Sequence, residues 1–171
     1  MDFFTSDFHI NHEKILTLGN GRPFPDINTM NEYLIERFNA RVSTTDRTFF
    51  LGDFIMRDRT ITPQFRSRLN GTICLILGNH DNPRIQKDMF DWVGKRFELD
   101  TPRGRILMRH QPNNLELWDK SAHDVIEGEA GFDWFLCGHV HDRWKRIGNV
   151  INVGVDVRDW EPKTLDELLA E

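Results

Sequence analysis

The residues with chemistry to offer sit where apolar runs break off. Leu75-Ile76-Leu77 runs straight into Gly78-Asn79-His80-Asp81, three aliphatic residues followed by a glycine, an amide, an imidazole and a carboxylate. The same figure recurs along the chain. Asp2-Phe3-Phe4-Thr5-Ser6 leads into Asp7-Phe8-His9, Phe49-Phe50-Leu51 into Gly52-Asp53, Ile106-Leu107-Met108 into Arg109-His110, and Trp134-Phe135-Leu136-Cys137 into Gly138-His139-Val140-His141. A lone Asp after a strand is ordinarily a turn or cap residue. Five strand-like runs that each deliver Asp, Asn or His at the same end form the layout of a metal site and point to two ions. In open α/β sheets, ligands bind just beyond the carboxyl ends of the strands. Carboxylate, amide and imidazole donors without thiolate suit Mn, Fe, Zn or Ni rather than a structural zinc. Two divalent ions about 3.5–4 Å apart can share a hydroxide and clamp the attacking and leaving oxygens of an in-line displacement.

Helices and strands must alternate to hold those donors in place. A first strand ends near Ser6, and a short helical piece is expected around Glu13–Leu18, before the glycines and prolines of residues 19–25. Thr29-Met30-Asn31-Glu32 has the form of a capping box, and Met30, Leu34, Phe38 and Val42 recur at helical spacing behind it. Strands follow at Thr48–Leu51 and Thr72–Leu77, with a helix opened by Thr62-Pro63 between them and running to Leu69. Further helices are expected over Pro83–Trp92, Ala122–Glu129 and the tail from Thr164 to Ala170, with polar loop at 113–121. A strand is expected at Phe132–Cys137, and hairpins pairing Phe97–Leu99 with Arg105–Met108 and Trp144–Ile147 with Val150–Val153. Alternation argues for a central sheet with helices outside, and the late hairpins make that sheet mixed. The pattern alone does not separate one sheet from two.

Bulk properties narrow the partners. The 171 residues fit one domain, 1–171, with 39% hydrophobic and 29% charged residues and no low-complexity tract. A net charge of −5 argues against coating duplex nucleic acid, which needs phosphate neutralisation by Lys and Arg. A phosphate substrate stays compatible, because bound cations can dominate the local field. Cys74 and Cys137 lie inside apolar runs and read as small buried hydrophobes. Without a C-x-x-C, a basic-then-apolar leader or an apolar run of about 18 residues, a reducing, cytoplasmic and membrane-free setting is expected.

Taken together, Asp7-Phe8-His9, Gly52-Asp53, Gly78-Asn79-His80-Asp81, His110 and Gly138-His139-Val140-His141 resemble the signature blocks of the calcineurin-like metallophosphoesterase superfamily. Arg22-Pro23-Phe24 adds a likeness to small bacterial and phage members. The resemblance implies an α/β sandwich of two mixed sheets with flanking helices. It also implies a first metal held by Asp7, His9 and His141, a second by Asn79, His110 and His139, and Asp53 as the bridge. Manganese is the favoured ion. His80 is implied to stand outside the ligand set, protonating the leaving oxygen or stabilising the phosphoryl group. In the phosphoprotein-phosphatase branch a carboxylate steers this histidine from a position held here by Met56, which argues against a protein phosphatase. Arg57, where that branch carries its phosphate arginine, and Arg22 are the candidates for meeting substrate phosphate. His12 reads as a residue near a helix start. Trp118, Trp134, Trp144 and Trp160 read as core or loop anchors.

The function implied is dimetal hydrolysis of a small phosphodiester, with cyclic or linear nucleotides the natural candidates. A phosphomonoesterase is the alternative on the same site. A nuclease is a further one, for which Arg143, Lys145 and Arg146 would have to form a basic rim. A non-catalytic scaffold is disfavoured, because such proteins forfeit ligands and all seven positions and His80 stand here.

Overall fold

The computed structural model describes residues 1–56, 62–82, 89–112 and 130–171. Two mixed five-stranded sheets organise it. In the first, β1 (Asp2–Thr5), β2 (Arg47–Phe50), β3 (Thr72–Ile76) and β4 (Trp92–Gly94) run parallel, and β10 (Lys163–Thr164) closes the edge antiparallel to β1. In the second, β6 (Gly104–Met108), β7 (Trp134–Cys137) and β9 (Val150–Asn152) run parallel. There β5 (Phe97–Thr101) and β8 (Arg146–Ile147) form the antiparallel edges. Parallel strands share one carboxyl end. That shared polarity is why apolar runs far apart in sequence all shed their polar residues on the same side.

Both faces of the first sheet are covered, so its strands read as unbroken apolar runs rather than alternating ones. Phe4, Phe49, Leu51, Cys74 and Ile76 point toward the second sheet and meet Ile106, Met108, Leu136, Ile151 and Val153. Phe3, Phe50, Ile73 and Leu75 point the other way, against Met30, Leu34, Ile35 and Phe38 of helix α1 (Ile27–Arg41). The two sheets touch at their carboxyl ends through an isolated parallel bridge from Ser6 to Gly154. The site forms at that junction.

The two expected hairpins are present as β5–β6 and β8–β9, and the terminal helix as α3 (Leu165–Ala170). Several boundaries differ. α1 starts earlier than expected, because Asp26 and not Thr29 is its cap: Asp26 Oδ1 accepts from Thr29 N–H at 2.8 Å. The Thr29 hydroxyl instead donates to Asp26 Oδ2. A true capping box stands at α3, between Thr164 and Glu167. α2 (Thr62–Arg66) is shorter than expected, and Trp92 opens β4 instead of ending a helix, since its backbone pairs with Cys74. The rest of that expected helix, at 83–88, lies outside the described residues, as do the loop at 113–121 and the helix over Ala122–Glu129. No helix among the described residues is long and apolar enough to cross a membrane.

Candidate metal centre

Every donor sits on a turn just beyond a strand, and the backbone there is bent hard. Asp7, His9, Asp53, His139 and His141 all have positive φ, between 49° and 69°. Left-handed backbone costs an L-residue about 1–2 kcal/mol, and it persists only where the surroundings enforce it. Here each bend is tied. Asp7 N–H donates to Gly52 O and His9 N–H to Asp53 O, lacing the β1 and β2 turns together. Asp53 N–H and Phe54 N–H both donate to the Asp81 carboxylate, which also takes Gly78 N–H. His139 N–H donates to the Asp7 carboxylate at 3.0 and 3.1 Å. The His141 carbonyl accepts from Asn152 Nδ2 at 2.8 Å. Two glycines make the lacing sterically feasible: a Cβ at Gly78 would collide with the Asp53 carboxylate, and one at Gly138 with Ser6 and the Asp7 carboxylate.

The side chains converge in two groups. Ligand atoms of Asp7, His9 and His141 lie within 4.8 Å of one another, as do those of Asp53, His110 and His139. Asp53 connects the groups through one oxygen: Oδ2 is 3.5 Å from His9 Nε2 and 3.3 Å from His110 Nε2. Its other oxygen accepts from His80 N–H at 2.9 Å. Asn79 Oδ1 lies 3.1 Å from His110 Nε2, beside the second group. His80 stands at the open side, its side chain 30% exposed and its Nε2 4.0 Å from Asp53 Oδ2. His80 also fits a further group with His9 and Asp53, so its distance alone does not separate it from the ligands.

A divalent cation fits this donor set on a specific observation. His9 Nε2 is buried without a hydrogen-bond partner, although Asp53 Oδ2 and Asp7 Oδ1 lie 3.5 and 3.9 Å away. An unmet buried nitrogen costs about 1–3 kcal/mol, which an ion among those three atoms would relieve. Outer nitrogens fix which atom of other imidazoles faces inward. His110 Nδ1 is 2.7 Å from Leu51 O and His141 Nδ1 is 3.0 Å from Asp156 Oδ2, leaving each Nε2 as the ligand atom. His9 Nδ1 is instead 3.3 Å from His12 Nδ1.

Burial and neighbouring charges shift the donors in opposite directions. Burial lifts the Asp7 carboxyl above its ordinary value, against the pull of His141 and His110. Burial likewise lowers His9 well below the usual imidazole range and His139 to about 4, so both are neutral and ready to ligate. Asp53 is held below the carboxylate range: burial works against ionisation there, but the hydrogen bond and charge of His110 prevail. The same pairing, against burial, takes His110 up to about 9.

Arg22 is tied closely into the protein. Its side chain is 2% exposed. Nε and Nη2 donate to the two oxygens of Asp156 at 2.9 and 3.0 Å, Nη2 also to Asp7 O, and Nη1 to Phe8 O and Met30 Sδ. All five guanidinium N–H donors thus have protein acceptors, so Arg22 braces the first group from behind while also lining the cavity. Arg57 and Trp118 lie outside the described residues. Trp160 packs on Phe24 as an anchor and also lines the cavity. Of the three residues of the basic rim, Arg143 lines the cavity, whereas Lys145 pairs with Glu171 and Arg146 donates to Gly148 O and lies over Trp134. Two residues escaped the sequence reading in their actual roles, Asp81 as the tie on Asp53 and Asp156 as the tie on His141. The run Val153-Gly154-Val155-Asp156 repeats the figure that marked the other donors, and that was the available signal.

The fold of two mixed sheets gathers acid, amide and imidazole donors at their shared carboxyl edge, a set that could hold metal ions. The sequence profile of the calcineurin-like phosphoesterase superfamily domain matches residues 3–157, and the chain belongs to that superfamily. The uncharacterized protein MJ1445 of Methanocaldococcus jannaschii is 30% identical, over 96% of this chain and 86% of its own. The crystal structure of AQ665, a protein of unknown function from Aquifex aeolicus, superposes with a TM-score of 0.74 at 24% identity, covering 99% of this chain and 98% of that one. An archaeal phosphodiesterase superposes with a TM-score of 0.52 at 17% identity, covering 90% and 81%.

Proposed function

We propose that the protein hydrolyses small phosphodiesters with two divalent transition-metal ions, manganese foremost. Asp7, His9 and His141 would hold one ion, Asn79, His110 and His139 the other, with Asp53 shared. The observation that carries this reading is the single Asp53 oxygen standing within 3.5 Å of imidazole nitrogens from both groups. When bound, the ions supply Lewis-acid charge at the phosphoryl group and a nucleophile at neutral pH. The protein's own part is orientation and proton transfer. Asp81 and the Asp7 carboxylate hold the turns, and the outer-nitrogen partners hold the rings. His80, at the open side, is the group that gives a proton to the leaving oxygen, which is worth about 10²–10⁴-fold in rate. A diester is favoured over a monoester because a leaving-group acid such as His80 helps a poorer leaving group most. The cavity of about 460 Å³ suits a small molecule.

A metal-by-substrate panel tests this. Protein stripped by a chelator should be inactive toward chromogenic diesters and cyclic nucleotides and regain activity with Mn²⁺. Undiminished hydrolysis in excess EDTA, with no metal by elemental analysis, refutes it.

A further inference from the structure

Beside the imidazoles and the charged side chains of Arg22, Asp142, Arg143 and Asp156, the cavity has an apolar part to its lining. Ile15, Leu18, Val140 and Trp160 line it there, with Gly19, Asn20 and Gly21 as its lip. The lip is tied down: Asn20 donates from both its backbone N–H and its side chain to Asp142, the residue after His141. Leu18 stands on this lip 57% exposed, and among the described residues the other exposed large hydrophobics are Met1 and Tyr33. A solitary exposed leucine is ordinary. One fastened to the mouth of a cavity that holds a metal-binding floor has something to cover.

We infer that this apolar wall is a subsite for an apolar, ring-sized group on the ester arm of the substrate that does not leave, an inference that rests on the phosphoesterase reading. About 460 Å³ is shared between the wall and the floor of donors, room for a phosphoryl group and a ring system rather than for a polymer. A ring gains by leaving water against Ile15, Leu18 and Val140, whereas the hydroxyls of a polyol ester would lose their water there with no partner from those side chains. The wall therefore selects aryl or nucleobase-like esters against glycerol- or sugar-like ones. Leu18 and Val140 are specificity-determining residues, and the tie between Asn20 and Asp142 fixes the distance from Leu18 to His141.

The test compares two diesters with the same p-nitrophenolate leaving group, the phenyl and the methyl ester, on Mn²⁺-loaded protein. Phenyl should be preferred in kcat/KM by about tenfold or more, and Leu18→Asp, at an exposed position that tolerates a charge, should cut that ratio by about fivefold. Binding is read separately by calorimetry with phenylphosphonate and methylphosphonate, which are not hydrolysed, and the same preference and the same loss are expected. Hydrolysis of both esters at similar kcat/KM, or a preference that survives Leu18→Asp in rate and binding, overturns the subsite while leaving the phosphoesterase standing. No hydrolysis of either ester, with phenylphosphonate still bound more tightly and Leu18-dependent, overturns the activity and supports the subsite. Equal binding of the two phosphonates overturns the subsite in either case.

Discussion

Asp156→Asn measures how firmly the first metal group is held from behind. Asp156 is 9% exposed in its side chain and joins two residues, taking Nδ1 of His141 on Oδ2 and the guanidinium of Arg22 on both oxygens. The amide keeps the shape and removes the charge, so two losses are expected. Arg22 is left buried without its counter-charge, which costs about 3–5 kcal/mol and lowers Tm by roughly 10 °C in a chain of this size. His141 is left without its anionic partner, which weakens its ion by about 10–100-fold. The ion beside His110 and His139 should bind as before. The double variant Arg22→Met/Asp156→Leu separates the effects: exchanging a buried pair for apolar groups restores much of the stability, yet leaves His141 unsupported. Titration of stripped protein with Mn²⁺ by calorimetry, beside thermal unfolding, gives both readouts. The pH dependence has a definite sign. His141 and Arg22, outweighing burial, lower the Asp156 carboxyl from its ordinary 3.8 to about 2. A lowered value contributes stability above the unfolded-state value that is lost as pH falls through the folded-state one. That part is worth about 2 kcal/mol, so the Tm gap should be steady above about pH 5 and narrow between about pH 4 and 2. Wild-type affinity at both sites in Asp156→Asn, or an equal loss at both, refutes the reasoning.

Other substitutions test the remaining assignments. Asp53→Asn should lower occupancy of both ions, because Oδ2 serves both groups, whereas His141→Ala should empty mainly one, and elemental analysis of each variant distinguishes them. His80→Ala should keep both ions but lose turnover of diesters with alkoxide leaving groups by about 10²-fold or more, and lose much less on p-nitrophenyl esters that need little protonation. Metal loss in that variant would instead place His80 among the ligands. Arg158→Met should destabilise by about 3–5 kcal/mol in chemical unfolding, since the buried guanidinium serves Asn152 O, Lys145 O and Glu171. A change under about 1 kcal/mol would show that those acceptors find other partners.

What the sequence determined by itself is the chemistry of the site and the side of the fold on which it lies. Apolar runs ending in Asp7, Asp53, Asn79, His110 and His139 state a donor set, and the donors fall together because β1, β2 and β3 run parallel in one sheet and β6 and β7 in the other. Local signals also sufficed where the physics is local, as in the β5–β6 and β8–β9 hairpins, closed around turn residues a few positions apart. Tertiary structure decided the rest. A run of buried strand residues looks the same whether its second face meets a helix or another sheet, so Phe49 and Phe50 in the sequence could not announce that one faces β-strands and the other α1. A loop arginine beside a motif, as Arg22 is, carries no sign in the sequence of its acceptors. Those acceptors include Asp156, 134 positions away along the chain, and they exist only once the turn after β9 has folded against the turn after β1. The choice of cap for α1 was likewise settled by geometry, with Asp26 and Thr29 both able to serve and only one placed to receive the N–H. Donor types are written residue by residue, but what holds each donor in its bent backbone comes from distant strands, and burial makes those ties effective.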